Sequence, residues 1–202
     1  RLEGSGNDEY QADQTASAVA FLTQLLSERG HTLDDELQAS IRETVDDALY
    51  VLDETLEDDG LPTRSQNLWE NMEGRFTHTA ASYLLAYATV ADAPLDHDTT
   101  SHAREQAERI VDSLDLLWSE KREAYGLRVN KSGKIDTRID SASFAIVEAL
   151  AAYDRIADLN ESTVDRLTKH IRNVFDVLYR DPDDSEIAGI ARFEGDTWRS
   201  ES

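Results

Sequence analysis

The sequence predicts an all-α protein built from antiparallel helical hairpins, with one small β-hairpin. Six segments repeat their apolar residues at three- and four-residue intervals, as the buried face of an amphipathic helix requires. Connections of short or moderate length separate these segments, as in stacked helical hairpins. One segment departs from the helical pattern: Leu127-Arg128-Val129 alternates in polarity, and Asn130-Lys131-Ser132-Gly133 is typical of a hairpin turn.

The predicted helices cover residues 15–28, 35–57, 74–90, 100–117, 140–156 and 162–178. Residues 1–14 are rich in glycine, serine, aspartate and glutamine, and we interpret them as a flexible lead-in to a helical domain over 15–202. The expected start signals are Thr32–Asp35 for the second helix, Asp140 or Ser141 for the fifth, and Ser162 or Thr163 for the sixth.

Each predicted helix has one apolar face that we expect to be buried. The second helix shows the most regular pattern, and its opposite face is almost entirely acidic, as expected for a solvated surface. The residues expected to point inward include Ala18, Phe21, Leu22, Leu25 and Leu26 in the first helix, Leu37, Ile41, Val45, Leu49, Leu52 and Leu56 in the second, and Val164, Leu167, Ile171, Val174, Phe175 and Leu178 in the sixth.

The chain is strongly acidic, with 42 acidic against 20 basic residues and a net charge of −22. The acid is spread over every segment, and only four of the basic residues are lysines. Concentrated salt would screen the self-repulsion of such a surface, so we interpret the source as halophilic and archaeal, with an acidic mesophile as the alternative. The charge also argues against nucleic acid and anionic membranes as partners, because no basic stripe is present.

Several other classes of function find no support in the sequence. The chain has no cysteine, so disulfide and thiolate chemistry are excluded. No apolar run approaches the roughly 20 residues that span a bilayer. The five histidines lack the mutual spacing of metal ligands, so we assign no metal site and no cofactor.

The segment Gly60–Thr79 carries the most informative chemistry. Gly60 and Pro62 end the preceding helix, and Trp69 directly precedes Glu70 ahead of the next one. An apolar ring beside a carboxyl group disfavours ionisation and keeps a proton available for donation. Glu70 is therefore a candidate general acid. The opposing interpretation is a carboxylate at a helix entry, favoured by the helix dipole.

Two segments resemble the glucoamylase family (glycoside hydrolase family 15). The first contains Gly60-Leu61-Pro62, Asn67-Leu68-Trp69-Glu70 and the Gly-Arg-Phe-Thr-His-Thr-Ala-Ala run at 74–81, and it is similar to the general-acid segment of that family. The second is Gly189–Thr197, which resembles the family's Arg-aromatic-x-x-Asp substrate-binding loop. Where the family usually reads Asp-Leu-Trp-Glu-Glu, this chain has Asn67 and Asn71 at the flanking positions.

The resemblance covers roughly residues 35–198 and implies a segment of an (α/α)6 barrel, from the middle of the catalytic domain. It implies an inverting hydrolase that releases glucose from α-glucan or α-glucoside ends. Glu70 would be the general acid, and Trp69, Asn71 and Arg192 would bind substrate. The family's early Trp-x-Arg-Asp segment and the segment with the catalytic base have no counterpart here, so no base is assigned.

Alternatives remain for the site residues and for the whole chain. Trp69 is either a platform for a sugar ring or a core residue, and Arg192 either binds sugar hydroxyls or forms an ion pair with Glu194 or Asp196. The alternative for the chain is a non-catalytic helical domain that binds carbohydrate or a partner. Because half a barrel would expose apolar helix faces, we expect a homo-oligomer or the missing remainder of the barrel as partner.

Overall fold

The computed structural model describes residues 11–66, 68–69, 72–181 and 187–196. These residues are mostly helical, which confirms the predicted all-α class. They form six α-helices: α1 (Ala12–Arg29), α2 (Asp35–Glu54), α3 (Thr77–Ala91), α4 (His97–Ser113), α5 (Ala145–Tyr153) and α6 (Glu161–Leu178). Short 3-10 turns follow α1 at Gly30–Thr32, follow α4 at Leu114–Leu117 and precede α5 at Ser141–Phe144.

Eight short strands join the helices in the described part of the chain. They are β1 (Ser65–Gln66), β2 (Glu73–Phe76), β3 (Trp118–Ser119), β4 (Ala124–Tyr125), β5 (Arg128–Val129), β6 (Ile135–Asp136), β7 (Tyr179–Arg180) and β8 (Gly189–Ile190). The order β1-β2-β5-β6 forms one antiparallel sheet, while β3–β4 and β7–β8 are separate pairs. The predicted hairpin at 127–133 is confirmed as β5–β6, in which Val129 is the register partner of Ile135.

Alternate helices form an inner layer. Helix α3 packs against α1 on one side and α5 on the other, and it also packs against α4, while α2 packs against α1. Contacts at both ends show that α3 and α5 are parallel, because His78 reaches Ala142 before α5 and Arg155 after α5 reaches Asp92 after α3. Helices α1–α2 and α3–α4 thus form packed pairs, α1, α3 and α5 lie side by side as the inner layer, and α6 packs mainly on β4.

Helix α3 owes its central place to its composition. It is Ala-rich and apolar around its whole circumference, with Tyr83, Leu84 and Tyr87 fully buried. Small side chains allow neighbouring helices to approach closely, and an all-round apolar helix is stable only when it is enclosed. The other helices have one polar face and lie around it.

The predicted buried faces need correction in three helices. In α1, Ala18 and Phe21 are exposed, Phe21 at 63%, and the buried face is instead Ala12, Ala16, Val19, Ala20, Thr23 and Leu26. In α2, Leu37 is exposed, and in α6, Val164 and Phe175 are exposed. Burial follows the side on which α3 or the adjacent sheet packs, so small alanines take the buried face of α1 and leave its largest apolar side chain outside.

Several helix starts also differ from the prediction. Helix α3 begins at Thr77 rather than at 74 because residues 73–76 form β2, α4 begins at His97 rather than at 100, and α5 begins at Ala145 rather than at 140 because a 3-10 turn precedes it. Helix α1 begins at Ala12, within the residues that the sequence assigns to the lead-in. Helix α6 is capped by Asn160, whose side chain accepts the Thr163 amide, rather than by Ser162 or Thr163 themselves. Asp34, which lies within the predicted start signal at 32–35, caps α2, and Asp140 caps the turn before α5 as predicted. An asparagine oxygen satisfies a free amide of a first turn as well as a serine or threonine hydroxyl does.

Candidate functional site

The N-terminal ends of the three inner helices converge at one end of the layer. Asp13 lies in the first turn of α1, His78 in the first turn of α3, and Asp140 caps the 3-10 turn that leads into α5. Asp13 and Asp140 are each 4% exposed. Helix N-termini carry partial positive charge, which favours carboxylates at this end of the fold.

A hydrogen bond holds Trp69 against this end. Strands β1 and β2 pair with Gln66 opposite Glu73, and Trp69 lies in the chain that connects them. The indole Nε1–H of Trp69 donates to Oδ1 of Asp140 over 3.1 Å. The same oxygen accepts the amide N–H of Ala142 over 3.0 Å, so one carboxylate oxygen caps the turn and fixes the indole.

The segment that contains Arg192 packs against both Asp140 and Trp69. Asp140 and Phe193 form an isolated antiparallel bridge, and the amide and hydroxyl of Ser141 both donate to the Arg192 carbonyl over 2.8 Å. The Arg192 guanidinium lies 5.5 Å from the ring centroid of Trp69 and 5.7 Å from that of Phe193. These are cation–π distances, so Arg192 is in contact with two aromatic rings.

Arg192 is held in place by a carboxylate. Its Nε and Nη2 each donate to Asp196 over 2.7 Å, so the ion pair anticipated from the sequence is formed with Asp196. Glu194, the other anticipated partner, accepts instead from Arg122 over 2.8 Å. The guanidinium is therefore oriented before any ligand arrives, with part of its donor capacity already used.

His78 joins the three inner helices. Its Nε2 is 3.5 Å from Oδ2 of Asp13, and its Nδ1 is 3.2 Å from the Ala142 carbonyl oxygen. Burial disfavours the imidazolium, but the hydrogen bond to Asp13 and its charge, with smaller contributions from Ala142 and Asp140, outweigh burial and raise the pKa of His78. Oδ1 of Asp13 is buried and has no hydrogen-bond partner among the residues that the structure describes.

For Asp140, unlike His78, the effect of burial on the pKa outweighs the effects of the neighbouring hydrogen bonds and charges. Burial raises the pKa of its carboxyl group above the ordinary value, against the hydrogen bonds from Trp69 and Ala142 and the charges of His78 and Arg138. Two carboxyl groups and an imidazole in different environments are thus gathered at one end of the inner helices. Such an arrangement can exchange protons with a ligand and can bind hydroxyl groups.

The structure brings together two of the four site residues that the sequence predicts. Trp69 and Arg192, 123 positions apart, are in contact. Glu70 and Asn71, like Asn67, lie outside the described residues. The sequence did not indicate Asp13 or His78 as parts of this end, and it indicated Asp140 as a helix cap and as a carboxylate to which no role as base was assigned. A weak signal existed for His78, a polar residue at the start of an otherwise Ala-rich apolar helix.

Metal and membrane binding find no support in the described part of the chain. Within residues 11–66, 68–69, 72–181 and 187–196, no three His, Asp or Glu side chains come together as metal ligands would. None of the helices described there combines the length and the hydropathy that crossing a bilayer requires.

Similarity to known proteins is found at the level of structure. The sequence itself matches no protein-family model and no curated protein. The fold is similar to that of a family 105 glycoside hydrolase from C. acetobutylicum ATCC 824, with a TM-score of 0.60 and 13% identity, over 91% of this chain and 56% of that one. It is also similar to a D-mannose isomerase, with a TM-score of 0.56 and 18% identity, over 86% of this chain and 46% of that one.

These likenesses show the fold, which is part of an (α/α)6 barrel. The chain spans about half the length of each of these two barrel proteins. Both of those proteins are carbohydrate enzymes.

Proposed function

We propose that this chain forms part of a carbohydrate-active (α/α)6-barrel enzyme whose sugar site lies at the N-terminal end of the inner helices. The observation that carries the proposal is the junction of Trp69 with Asp140 and Arg192. An indole beside a carboxylate and a guanidinium offers an apolar face for the C–H face of a sugar ring, with donors and acceptors for its hydroxyls. The fold shared with two carbohydrate enzymes supports the same class.

Within this class, the reaction we propose is inverting hydrolysis of a terminal α-glucosidic bond. Glu70 directly follows Trp69 in the sequence and would donate a proton to the leaving oxygen. Trp69, Asn71 and Arg192 would hold the sugar. Inversion needs a second carboxylate about 6.5–9.5 Å away as base, which we do not assign within this chain. The remaining hairpins of the barrel would supply it, from the rest of the polypeptide or from another subunit.

The test is hydrolysis of maltose and of nitrophenyl α-glucoside in concentrated salt, by the natural polypeptide that contains these 202 residues. Glu70→Gln should lower kcat at least about 100-fold, because it removes the proton donor but keeps the shape of the side chain. Glu73→Gln is the matched control, since Glu73 pairs with Lys131 on the sheet. Equal rates for wild type and Glu70→Gln would remove Glu70 from the mechanism.

A second candidate function, isomerisation of a free sugar, is favoured by the His78–Asp13 pair. Isomerisation moves a proton between neighbouring carbons, which requires an acid–base group but no cleavage of a glycosidic bond. A histidine paired with a carboxylate can serve as that group. The discriminating measurement is interconversion of mannose and fructose: His78→Asn should abolish it, whereas Glu70→Gln should not.

Sugar binding without turnover of either substrate class would support a third outcome, the non-catalytic carbohydrate-binding domain. The engagement of Arg192 by Asp196 is compatible with that outcome, because the pair forms a fixed polar wall beside Trp69. Trp69→Ala should abolish binding under any of the three functions. Unchanged binding in Trp69→Ala would exclude this end of the inner helices as the sugar site.

A further inference from the structure

The Asp140 carboxyl group uses its two oxygens unequally. Both hydrogen bonds that it accepts, from Trp69 Nε1 and from the Ala142 amide, fall on Oδ1. Within the described residues, Oδ2 accepts none. Oδ2 is also not one of the fully buried unpaired atoms in this part of the chain. It therefore keeps contact with solvent, although Asp140 as a whole is 4% exposed. A carboxylate oxygen normally accepts more than one hydrogen bond, which leaves Oδ2 ready for a donor.

The carboxyl group is rigidly placed with respect to both sides of the site. Its backbone forms the bridge with Phe193, and the next residue, Ser141, bonds twice to the Arg192 carbonyl. From behind, the hydroxyl of Ser143 donates to the Asp140 carbonyl and contacts Nε2 of His170. A group fixed in this way can bind a ligand without first losing conformational entropy.

The cations around Asp140 do not neutralise it by direct pairing. Arg138 donates to Asp136 through Nε and Nη2, Arg192 donates to Asp196, and His78 faces Asp13. Each nearby positive charge is thus bound to a different carboxylate. A buried acceptor without a partner has lost hydrogen bonds to water and has not replaced them. A ligand that donates a hydrogen bond to such an acceptor therefore gains the most binding free energy.

We propose that Oδ2 of Asp140 accepts a hydroxyl hydrogen from the sugar that lies against Trp69, while Oδ1 holds the indole in position. This inference rests on the proposed function, because it places the sugar at Trp69, and it adds a second residue that contacts the sugar directly. The ligand class is a neutral pyranose with a free hydroxyl beside the face that meets the indole. The Asp140 side chain would thus both fix the indole that contacts the apolar face of the sugar and bind one sugar hydroxyl.

The decisive variant is Asp140→Asn in the natural polypeptide, with methyl α-D-glucopyranoside as the probe and calorimetry in concentrated salt as the measurement. The asparagine oxygen can still accept from Trp69 and Ala142, and an amide donor replaces Oδ2. We expect the Kd to rise about 10-fold or more, as for loss of one hydrogen bond to a charged group. The melting temperature and the near-ultraviolet circular dichroism of the tryptophans should stay as in wild type.

Asp96→Asn is the matched control, because Asp96 also caps a helix through one carboxylate oxygen and lies in the connection between α3 and α4, at the opposite end of the inner layer. It removes the same charge and should leave the Kd unchanged. If Asp140→Asn binds the probe as wild type does while Trp69→Ala does not, the contact with Oδ2 is overturned and the sugar site survives. If neither methyl α-D-glucopyranoside nor methyl α-D-mannopyranoside binds to wild type, both proposals fall.

Monodeoxy analogues of the probe keep the inference testable should Asp140→Asn fail to fold. One of them should bind wild type about 10-fold more weakly than the parent sugar, because it lacks the hydroxyl that Oδ2 accepts. In a folded Asp140→Asn protein, that same analogue should show no additional loss of affinity. Equal binding of all the monodeoxy analogues by wild type would overturn the proposal without any variant.

Discussion

His78 and Asp13 form an ion pair across the first turns of α3 and α1, with 3.5 Å between Nε2 and Oδ2. The other ring nitrogen of His78 faces the Ala142 carbonyl before α5, so one side chain contacts all three inner helices where they converge. The charged groups facing it are Asp13 on α1 and Asp140 at the turn, and both favour the imidazolium. The protonation state of His78 should therefore affect the stability of the whole inner layer.

We expect the free energy of unfolding to fall as the pH rises above about 6.5. The pKa of His78 is higher in the folded than in the unfolded chain, where it is about 6.5. A group of this kind contributes stability that is complete below its unfolded pKa and is lost as pH rises through its folded pKa. Denaturant titrations across this range, in concentrated salt, should show the decline in wild type and not in His78→Gln. His31→Gln, at an exposed histidine, should retain it; an identical decline in His78→Gln would contradict the assignment.

On the acid side we expect a separate loss of stability that depends on His170. This histidine is fully buried, with Nδ1 accepting the Tyr125 amide and Nε2 directed at the Ser143 hydroxyl. Burial lowers its pKa to about 4. Its contribution is present above about pH 6.5 and is lost as pH falls toward 4, with a slope of up to about 1.4 kcal/mol per pH unit.

His170→Gln should remove this part of the acid dependence, although the carboxylates will add their own at lower pH. Nuclear magnetic resonance of the histidine rings offers an independent check. His170 should remain neutral, with its proton on Nε2, at a pH where an exposed histidine is already charged. A His170 ring that titrates near 6.5 would contradict the prediction.

Substitution of three glycines by alanine should lower the free energy of unfolding by different amounts. Gly60 has φ +83° and an added Cβ would lie 2.6 Å from the Arg109 carbonyl oxygen, so Gly60→Ala combines backbone strain with a clash. We expect a loss of at least about 2 kcal/mol. Gly133, with φ +73° and open space, should lose about 1 kcal/mol, and Gly189, with neither feature, less than about 0.5 kcal/mol. A different rank order in thermal or chemical unfolding would count against the placement of the turn at Gly60.

Apolar side chains on the outer helix faces predict self-association of the isolated 202-residue chain. Phe21 on α1 and Phe175 on α6 are 63% and 48% exposed. Sedimentation velocity in concentrated salt should show association, and Phe21→Ser with Phe175→Ser should reduce it, because the apolar contact area is lost. Tyr50→Ser is the control, since Tyr50 is equally exposed but shares its helix face with acidic residues. A monomeric wild-type chain would show that these faces are tolerated in water.

Low salt should weaken the fold. With a net charge of −22, self-repulsion opposes compaction unless counterions screen it. At about 10 mM salt the Debye length is about 30 Å, comparable to the size of the domain, so the charges act on one another across it. Helicity measured by circular dichroism should fall on dialysis from concentrated to low salt. Unchanged helicity would favour the acidic-mesophile interpretation of the composition.

The sequence predicts that the helices exist and roughly where they lie along the chain. It does not predict for every helix which face is buried. Periodicity predicted six helices and one hairpin because local spacing decides both. It failed for Phe21, since the neighbour of α1 is the Ala-rich α3. Close approach to α3 favours Ala12, Ala16 and Ala20 on the contact face, and a ranking by hydrophobicity cannot detect that preference.

The site could be predicted only in part for a related reason. Trp69 and Arg192 were recognisable from their motifs, but their junction with Asp140 joins residues 71 positions apart through a hydrogen bond. His78 and Asp13 acquire their partnership only when α1 and α3 lie parallel. Contacts of this kind depend on packing between helices, about which local spacing carries no information.

The Asp92–Arg155 ion pair lies at the end of the inner helices opposite to Trp69. Because the chain contains no cysteine, a single thiol introduced at that end would be unique. Asp158→Cys, in the exposed connection after α5, offers a specific attachment point for a fluorophore or a surface tether. Immobilisation through it would present the His78 end to solution, which makes surface-based ligand screening practicable for this fold.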